Sequence, residues 1–564
     1  MTDTPYEVLE TDVLVLGSGG AGLCAALHMA DAGRPPRVVL AVKGLFGKSG
    51  CTRMVQGGYN VVLREPDSLD NHFRDTLEGG QWINNQELAW MLVAEAPGRV
   101  LELENRAGCF FDRNADGTVH QKAFAGQTFD RTVHKGDLTG IEIVSRLAEQ
   151  VAATEPVILE EVRAVDLLLD KAGQRVVGAL LLDIRRGAYV VAHARATLLA
   201  TGGGPTMYKI SAPCHDKSCD GIAMGYRAGA VLMDMEMVQF HPTGLLAGTN
   251  QISGTVLEEG LRGAGAYLLN GKGERYMERY DPRGERATRD VVSRATYLEI
   301  IEGRGTPEEG VWLDVSHVGA EFVEQNFRGM TLRCRDVGFD LAREPVTVSP
   351  TAHFMMGGLE IDTRCATRLE GLFVAGEDAC GVHGANRLGG NGVAESTVFG
   401  GIAGDVIAQW VKEAPLTPFR ESQVTDIIAR CNAPFGREVA NSVYPLRERL
   451  REVMWRKAGV VRNGTDLAQA GAELAELRER LSRVGVANGR AYNLAWMDTL
   501  NMENFLDASE AIVRSAIVRQ ESRGAHYRSD FAARDDGAFL CNLILTRDDP
   551  TPRRQEVAMP RLRP

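Results

Sequence analysis

A glycine-rich turn between two apolar runs constrains the fold of this chain more than any other feature. Residues 12–16 form a short apolar run, and Gly17-Ser-Gly-Gly-Ala-Gly22 follows it directly. A stretch with helical periodicity covers residues 23–32, and a second apolar run covers residues 37–42. Strand, glycine turn, helix and strand in this order predict the βαβ unit of a dinucleotide-binding domain.

The glycines of the turn have separate physical roles in such a unit. Gly17 allows the tight turn, Gly19 lets the backbone approach a pyrophosphate, and Gly22 lets the helix pack on the strand. An NAD-binding unit carries an acidic residue at the end of its second strand, whereas Lys43 stands there in this chain. The sequence therefore disfavours NAD and leaves FAD open as the ligand.

Glycine is also frequent along the chain, at 62 of 564 residues, against a usual share of about 7%. Two further apolar runs end in glycines, at residues 196–204 and 371–378. Three such junctions far apart in sequence predict one discontinuous nucleotide-binding domain over residues 1–235 and 346–410. Residues 236–345 would then form an inserted domain.

Helical periodicity dominates the chain beyond residue 410. Apolar residues recur at three- and four-residue spacing in residues 446–456, 467–481 and 508–520, with charges between them. This pattern predicts a helical domain over residues 411–530, followed by a C-terminal segment over residues 531–564. The predicted fold class is α/β.

The charge balance and the length of the apolar runs exclude several classes of protein. Lys and Arg number 63 against 75 Asp and Glu, and the net charge of −12 argues against nucleic-acid binding. No apolar run reaches 18 residues, so no membrane span is predicted. The N-terminus lacks the basic and apolar segments of a secretory signal, and we therefore expect a cytoplasmic location.

Ten cysteines are spread along the chain without a CxxC pair, which predicts neither a zinc site nor an iron–sulfur cluster. Cys214 and Cys219 flank His215, but further ligands at metal spacing are missing, so this segment is interpreted as a loop. We therefore expect no metal in this chain. Any electron-transfer cluster would lie on a partner protein.

Histidines and arginines cluster in and after the predicted insertion, each near a bend marked by glycine or proline. They are His241, Arg262, Arg289, His353 and Arg387. Arginine binds carboxylates bidentately, and imidazole adds charge-assisted hydrogen bonds. The set predicts a site that holds an anion.

Further motifs follow one another in a fixed order through the chain. They are Gln56-Gly57-Gly58, residues 123–127, Thr201-Gly202-Gly203, Asp220-Gly221, residues 234–244, residues 262–270, residues 273–277, residues 289–292, residues 350–358, Gly376-Glu377, residues 384–391 and residues 521–526. Together with the glycine turn, they resemble the flavoprotein subunit of succinate dehydrogenase and fumarate reductase, and its relative L-aspartate oxidase. The resemblance covers nearly the whole chain, and Lys43 is normal for that family.

The resemblance implies a Rossmann-like FAD-binding domain, an inserted α+β capping domain that closes over the substrate, and a C-terminal helical domain. It places Lys43 beside the adenosine half of FAD, Glu377 at the ribose, and Gly392 and Val393 at the isoalloxazine. The full set that it assigns to the cofactor is Gly17, Gly19, Gly22, Lys43, Thr52, Gly57, Gly58, Thr201, Gly202, Asp220, Glu377, Asn391, Gly392 and Val393.

The same resemblance implies a site for a small dicarboxylate, in which hydride passes between a substrate carbon and flavin N5. His241, His353 and Arg387 match the catalytic ligands of a substrate carboxylate. Arg289 matches the arginine that exchanges a proton with the substrate, with Glu259 and Arg262 as the relay behind it. Phe124 and Glu258 are further candidates for substrate binding.

The leading hypothesis is the flavoprotein subunit of a succinate dehydrogenase or fumarate reductase-like complex. Its electron partner would be an iron–sulfur protein, and partner subunits could hold it at the inner face of the membrane. The alternative is a free-standing flavin oxidase or dehydrogenase of the L-aspartate oxidase type, or an enzyme for a related substrate with one non-carboxylate end. A non-enzymatic flavin-binding scaffold would not need the matched cationic residues.

Two positions depart from the family pattern. Membrane-bound members attach the flavin to a histidine before Gln-Gly-Gly, whereas this chain has Cys51 there, so we expect non-covalent FAD. A plain packed thiol is favoured over a thioether at Cys51, and loss of the covalent bond favours reduction over succinate oxidation. Glu258 replaces a threonine, which indicates either a substrate with a neutral or cationic end or a side chain turned towards an arginine.

Overall fold

A seven-stranded sheet forms the framework of the computed structural model, which describes residues 6–487 and 489–564. The predicted first domain includes residues 1–5 and the predicted helical domain includes residue 488, and these six lie outside the described residues. The strands run in the spatial order Val157–Glu160, Val38–Val42, Tyr6–Leu16, Ala188–Leu199, Val176–Asp183 and Val162–Leu169, and Leu372–Val374 also pairs with Ala188–Leu199.

The sheet brings the three glycine junctions to one edge. Tyr6–Leu16 pairs in parallel with Ala188–Leu199, with Leu16 opposite Leu199, and Val374 lies opposite Leu199 from the next parallel strand. Parallel strands place their carboxyl ends at the same edge, where open α/β sheets bind ligands. The chain therefore assembles one ligand-binding edge from segments more than 350 residues apart in sequence.

The glycine turn adopts the conformation that its sequence predicts. Gly17 has φ +109°, a region that favours glycine, and helix Gly20–Ala30 begins within the glycine motif, three residues earlier than the predicted start at residue 23. A Cβ atom on Gly22 would lie well under 3.0 Å from the carbonyl oxygen of Gly17. The helix can therefore pack on the first strand only because Gly22 has no side chain.

Helices and two small sheets surround the nucleotide-binding sheet. The helices of this part are Gly20–Ala30, Leu69–Gly79, Gln86–Asn105, Thr139–Ala153, Asp220–Ala228 and Asn391–Trp410. One small sheet pairs Tyr59–Asn60, Thr132–Val133 and Gln121–Lys122. The other pairs Gly358–Leu359, Leu232–Met233, Cys541–Leu545 and Arg553–Glu556.

The capping region forms a separate hydrophobic core, whose buried members lie between Leu245 and Val348. Its antiparallel sheet has the order Val238–Leu245, Val346–Met355, Val311–Asp314 and Tyr267–Leu269. Its α-helices are Glu259–Gly263, Arg289–Glu299, Ala320–Asn326 and Arg328–Arg335. This separate core supports an inserted domain, and its bounds at residues 236–345 stay a prediction.

The C-terminal part is mainly helical, as the fold class predicts. Its helices are Glu421–Asn432, Tyr444–Lys457, Gly464–Leu481, Leu494–Val518 and Asp536–Phe539. Within the C-terminal segment, Cys541–Leu545 pairs with Leu232–Met233, so this segment is attached to the nucleotide-binding region. In the described part of the chain, no helix is both long and apolar enough to cross a membrane.

The packing at Gly22 generates a prediction about stability. Gly22→Ala should lower the melting temperature and the amount of bound flavin, because the new methyl group would force the helix off the first strand, at a cost of about 1–3 kcal/mol. Gly33→Ala is the matched control, since a Cβ there meets nothing within 4 Å. Differential scanning fluorimetry and flavin absorbance would measure both effects, and equal behaviour of the two variants would contradict the packing argument.

Candidate active site

A cavity of about 730 Å³ lies at the ligand-binding edge and extends to the capping region. Sites of this size accommodate cofactors and small substrates. Most residues predicted from the sequence line it, namely Gly17, Gly19, Lys43, Thr52, Gly57, Gly58, Phe124, Thr201, Gly202, Asp220, His241, Glu258, Glu259, Arg289, His353, Glu377, Arg387, Gly392 and Val393. Cys51 lines the same cavity.

Three predicted residues lie behind the cavity wall. Gly22 packs against Gly17, and Arg262 donates a hydrogen bond to Glu259 at 2.8 Å. Asn391 accepts a hydrogen bond from Asn60 at 2.8 Å, and Asn60 also donates to the Gly389 carbonyl at 2.6 Å. We therefore expect Asn391 to hold the Gly389–Gly390 turn in place.

The glycine turn presents bare backbone to the cavity. A Cβ atom on Gly19 would meet only the Thr52 hydroxyl, at 3.4 Å, so the approach to this backbone is open. The Thr52 hydroxyl accepts a hydrogen bond from the Gly20 N–H at 3.1 Å. Free N–H groups at the first turn of a helix bind phosphate groups well, and the residues present therefore fit the pyrophosphate of FAD.

Lys43 is held by a buried polar cluster. Its Nζ donates to Asp220 at 3.0 Å, to Ser218 at 2.7 Å and to Asn501 at 2.9 Å. Arg163 reaches the other oxygen of Asp220 at 3.1 Å. Burial lowers the pKa of Lys43. Asn501 and Arg163 were not predicted, because they come from distant elements that only folding brings together.

Lys217 and Asp378 form hydrogen bonds with residues of the neighbouring part of the cavity wall. The sequence did not predict either residue. The Lys217 Nζ donates to Glu377 at 2.9 Å, and the Met355 N–H donates to the other oxygen of Glu377 at 3.0 Å. Asp378 accepts hydrogen bonds from the N–H groups of Thr201 and Gly202. The segment around Cys214 is a loop, as the sequence predicts, but Cys214 and Lys217 both line the cavity.

Four cationic or imidazole side chains converge at the capping end of the cavity. His241 and His353 have ring centroids 5.5 Å apart, and His241 is buried whereas His353 is partly buried. Burial, followed by the charge of Arg289, lowers the pKa of His241 well below its usual value. Burial and the charge of Arg289 lower the pKa of Arg387 to about 9. A bound anion would relieve this crowding of positive charge.

Glu259 links two arginines at the same end of the cavity. Its Oε2 accepts from Arg289 Nη2 at 2.7 Å, and its Oε1 accepts from Arg262 Nη2 at 2.8 Å. Burial acts to raise the pKa of Glu259, but the charges of Arg289 and Arg262 outweigh it and lower the pKa. One carboxylate and three guanidinium groups, counting Arg387, leave a net charge of +2 at this end, where Arg289 and Arg387 line the cavity and Arg262 lies behind its wall.

Glu258 is turned towards a cation, but the cation is Lys122 rather than the expected arginine. Glu258 is 3% exposed, and burial raises its pKa. Its Oε2 is buried without a hydrogen-bond partner among the described residues. Lys122 was not predicted, although it stands two positions before Phe124. The signal in the sequence was a lysine next to the motif at residues 123–127, which could have been matched with the unexpected acid at Glu258.

Comparisons with known proteins agree with this architecture. A family model described as FAD binding domain matches residues 12–393, and a model described as fumarate reductase flavoprotein C-term matches residues 447–564. An uncharacterized FAD-dependent oxidoreductase of Methanocaldococcus jannaschii is 44% identical, over 93% of this chain and 94% of the relative. A fumarate reductase (CoM/CoB) subunit of Methanothermobacter marburgensis is 42% identical, over 93% of this chain and 95% of the relative.

A solved structure shows the same fold over nearly the whole chain. A variant of E. coli quinol fumarate reductase superposes with a TM-score of 0.93 at 32% identity. The match covers 99% of this chain and 98% of that chain.

The pKa of Arg387 generates a prediction about pH. Below pH 9 the free site already carries this positive charge, whereas above pH 9 a dicarboxylate must bind together with a proton. The dissociation constant for succinate should therefore rise by up to about tenfold per pH unit above this value. Titration of the flavin spectrum at constant ionic strength would measure it. Arg387→Gln should bind weakly without this slope, and a flat wild-type profile to pH 10 would contradict the prediction.

Proposed function

The chain belongs to the family of succinate dehydrogenase and fumarate reductase flavoproteins, and from that premise we propose that it reduces a fumarate-type dicarboxylate. Membership makes it an FAD-dependent oxidoreductase that acts on CH–CH donors. The proposal adds the direction of the reaction and the role of each residue. Cys51, in place of a histidine that could carry the flavin, supports reduction.

The charge of the capping end is the observation that carries the proposal. Arg262, Arg289 and Arg387 outnumber the carboxylate of Glu259 by two charges, and a four-carbon dicarboxylate carries two negative charges. Arg387 Nε has no hydrogen-bond partner among the described residues, and its guanidinium lies 4.4 Å from the ring centroid of Phe354. It is therefore free to donate hydrogen bonds to a carboxylate while the ring fixes its position.

FAD supplies the hydride at its N5 position when it is bound. His241, His353 and Arg387 would hold and polarise one carboxylate, so that the adjacent double bond becomes electrophilic. The capping region would cover the substrate and exclude water. Arg289 would then donate a proton from its guanidinium to the second carbon of the double bond. Glu259 contacts both Arg289 and Arg262, so it can pass a replacement proton from Arg262 to Arg289.

The proton transfer is tested by Arg289→Gln, which keeps hydrogen-bonding capacity but has no ionisable proton. We expect turnover of fumarate to fall by about 10²–10⁴-fold, the usual contribution of a general acid. Flavin content should stay unchanged, because Arg289 contacts Glu259 and Gln239. Arg286→Ala is the control, since Arg286 is exposed. Turnover of Arg289→Gln at the wild-type rate would contradict the proposal that Arg289 donates the proton.

We propose that FAD is held without a covalent bond. The histidine needed for the family's usual attachment is missing, and the glycine turn and the Thr201–Gly202 segment both line the cavity. This lining supports retention of FAD by burial and by hydrogen bonds from the glycine turn. The thioether at Cys51 remains the less favoured alternative.

A second candidate function rests on the unpartnered Oε2 of Glu258 in the cavity wall. A carboxylate oxygen without a donor favours a substrate whose far end carries an N–H or O–H group, such as a monoamide. The ion pair with Lys122 argues the other way, because it neutralises the charge that would repel a dicarboxylate. The two functions therefore predict different substrate preferences.

Fumarate and its monoamide distinguish the two functions. For a dicarboxylate enzyme, wild type should prefer fumarate. Lys122→Met should then lower kcat/KM for fumarate by about tenfold or more, equivalent to about 1.4 kcal/mol. The double variant Lys122→Met/Glu258→Thr should restore it, since no unpaired charge remains. A wild-type preference for the monoamide that Glu258→Thr reverses would establish the second candidate instead.

We propose an iron–sulfur protein as the electron partner, docked where the cavity opens. Met54, Leu138 and Ile141 line the cavity and are 42%, 49% and 37% exposed. An apolar rim beside the cofactor site suits a protein that must bring a redox centre close to the flavin. All ten cysteines of this chain are free thiols, so the cluster would lie on the partner.

Purification from the native cells tests this partner. The tagged chain should co-elute with a protein that shows iron–sulfur absorbance and an electron paramagnetic resonance signal. Leu138→Glu/Ile141→Glu should abolish co-elution and retain FAD, whereas Val439→Glu, at another exposed apolar position, should not. A flavoprotein that elutes alone and is reoxidised by oxygen would favour the free-standing oxidase.

A further inference from the structure

Two of the ten cysteines differ from all the others in their surroundings. Eight are buried, whereas Cys51 and Cys214 are partly exposed and both line the cofactor cavity. Their Sγ atoms lie 3.6 Å apart, although 163 residues separate them in sequence. The two thiols are therefore in direct contact, and the hydride-transfer mechanism uses neither of them.

The surroundings shift the pKa values of the two thiols in opposite directions. A hydrogen bond from Cys214, followed by the positive charge of Lys217, lowers the pKa of Cys51 in spite of its burial. The hydrogen bond with Cys51 raises the pKa of Cys214. By contrast, burial raises the pKa of Cys24 and of Cys334 to about 12. A thiol with a lowered pKa in contact with a second thiol is the arrangement of redox-active cysteine pairs.

Both cysteines lie outside the strands and long helices of the fold. Cys51 immediately precedes the short 3₁₀ helix Thr52–Met54, and Cys214 lies in the loop before helix Asp220–Ala228. A disulfide has an S–S length of about 2.05 Å, so the sulfurs must approach by roughly 1.5 Å. Side-chain rotation in two loops can supply this approach without rearrangement of a strand or long helix.

We propose that Cys51 and Cys214 form a thiol–disulfide exchange site in the cavity wall, whose substrate is a small-molecule disulfide. The Cys51 thiolate attacks the disulfide, one thiolate leaves, and a mixed disulfide forms at Cys51. Cys214 then loses its proton and attacks the Cys51 sulfur, which expels the second thiolate. The net reaction converts two cysteine thiols and one disulfide into one intramolecular disulfide and two small thiols.

The disulfide would connect two segments that touch the cofactor site. Thr52, next to Cys51, holds the glycine turn through Gly20, and Lys217, three residues after Cys214, pairs with Glu377. Oxidation would therefore join the two sides of the cavity wall. This inference goes beyond the proposed reduction of a dicarboxylate and does not depend on it.

Thiol labelling of the holoenzyme tests the proposal. The protein is equilibrated anaerobically with mixtures of reduced and oxidised glutathione, quenched with acid, denatured and labelled with N-ethylmaleimide. As the mixture becomes more oxidising, we expect the intact mass to lose two labels together. Peptide mass spectrometry should then show Cys51 linked to Cys214. Addition of dithiothreitol should restore both labels.

Single variants assign the two roles. Cys214→Ser should accumulate a stable mixed disulfide with glutathione at Cys51, because the resolving thiol is missing. Cys51→Ser should show neither the link nor this adduct, and Cys541→Ser, a control distant in sequence, should behave as wild type. Melting temperature and flavin content show that each variant is folded.

Three results would overturn the proposal. One is the absence of a Cys51–Cys214 link in fully oxidised glutathione, and another is a link that forms equally among the buried cysteines. The third is a flavin mass on the Cys51 peptide of the untreated holoenzyme, which would show that this sulfur is a cofactor attachment point. None of these results bears on whether Arg289 supplies a proton, so failure here is distinguishable from failure of the proposed function.

Discussion

The close approach of the first strand to its neighbours is the constraint on which the rest of the site depends. A Cβ atom on Gly17 would lie well under 3.0 Å from the Ala200 carbonyl, and one on Gly22 would overlap Gly17. These contacts bring strand, turn and helix into one compact unit. The same edge then receives the ends of two other strands, and the cavity forms above them.

The second governing feature is the surplus of positive charge opposite that edge. Buried cations are unfavourable unless they are paired, and Arg262 and Arg289 share a single carboxylate, Glu259. Arg387 adds a further charge that burial destabilises, which its lowered pKa reflects. We expect a bound dianion to complete the electrostatic balance of this site.

Lys122 compensates for the charge of Glu258, which stands where the family pattern has a threonine. The pair is neutral, so the surplus of positive charge in the site is unchanged. A glutamate in the wall of an anion site is unfavourable in isolation. Lys122 lies in the small sheet that contains Gln121–Lys122, and its charge offsets that of Glu258. Cys51, which contacts Cys214 near Lys217, stands where membrane-bound members of the family carry a histidine.

The fold class and most cavity residues could be predicted from the sequence, because they lie in short ordered motifs whose local chemistry is specific. The glycine turn, the strand ends and the motifs around His241, His353 and Arg387 are of this kind, although His241 and His353 lie within strands rather than at the predicted bends. The sequence did not predict five residues that contact the predicted site residues or one another, namely Lys122, Arg163, Cys214, Lys217 and Asn501. Each contacts a residue more than 100 positions away in sequence, and no local pattern records such a contact.

By itself, the sequence determined the nucleotide-binding unit, the interruption of that unit by a second domain, and the residue types of an anion site. Those features depend on glycine conformation, hydrophobic periodicity and side-chain chemistry, which act over a few residues. Only the tertiary structure decided that Glu258 is neutralised, that Glu259 joins two arginines, and that two cysteines touch. Charge compensation and thiol contact depend on distances across the cavity, and only the folded chain sets those distances.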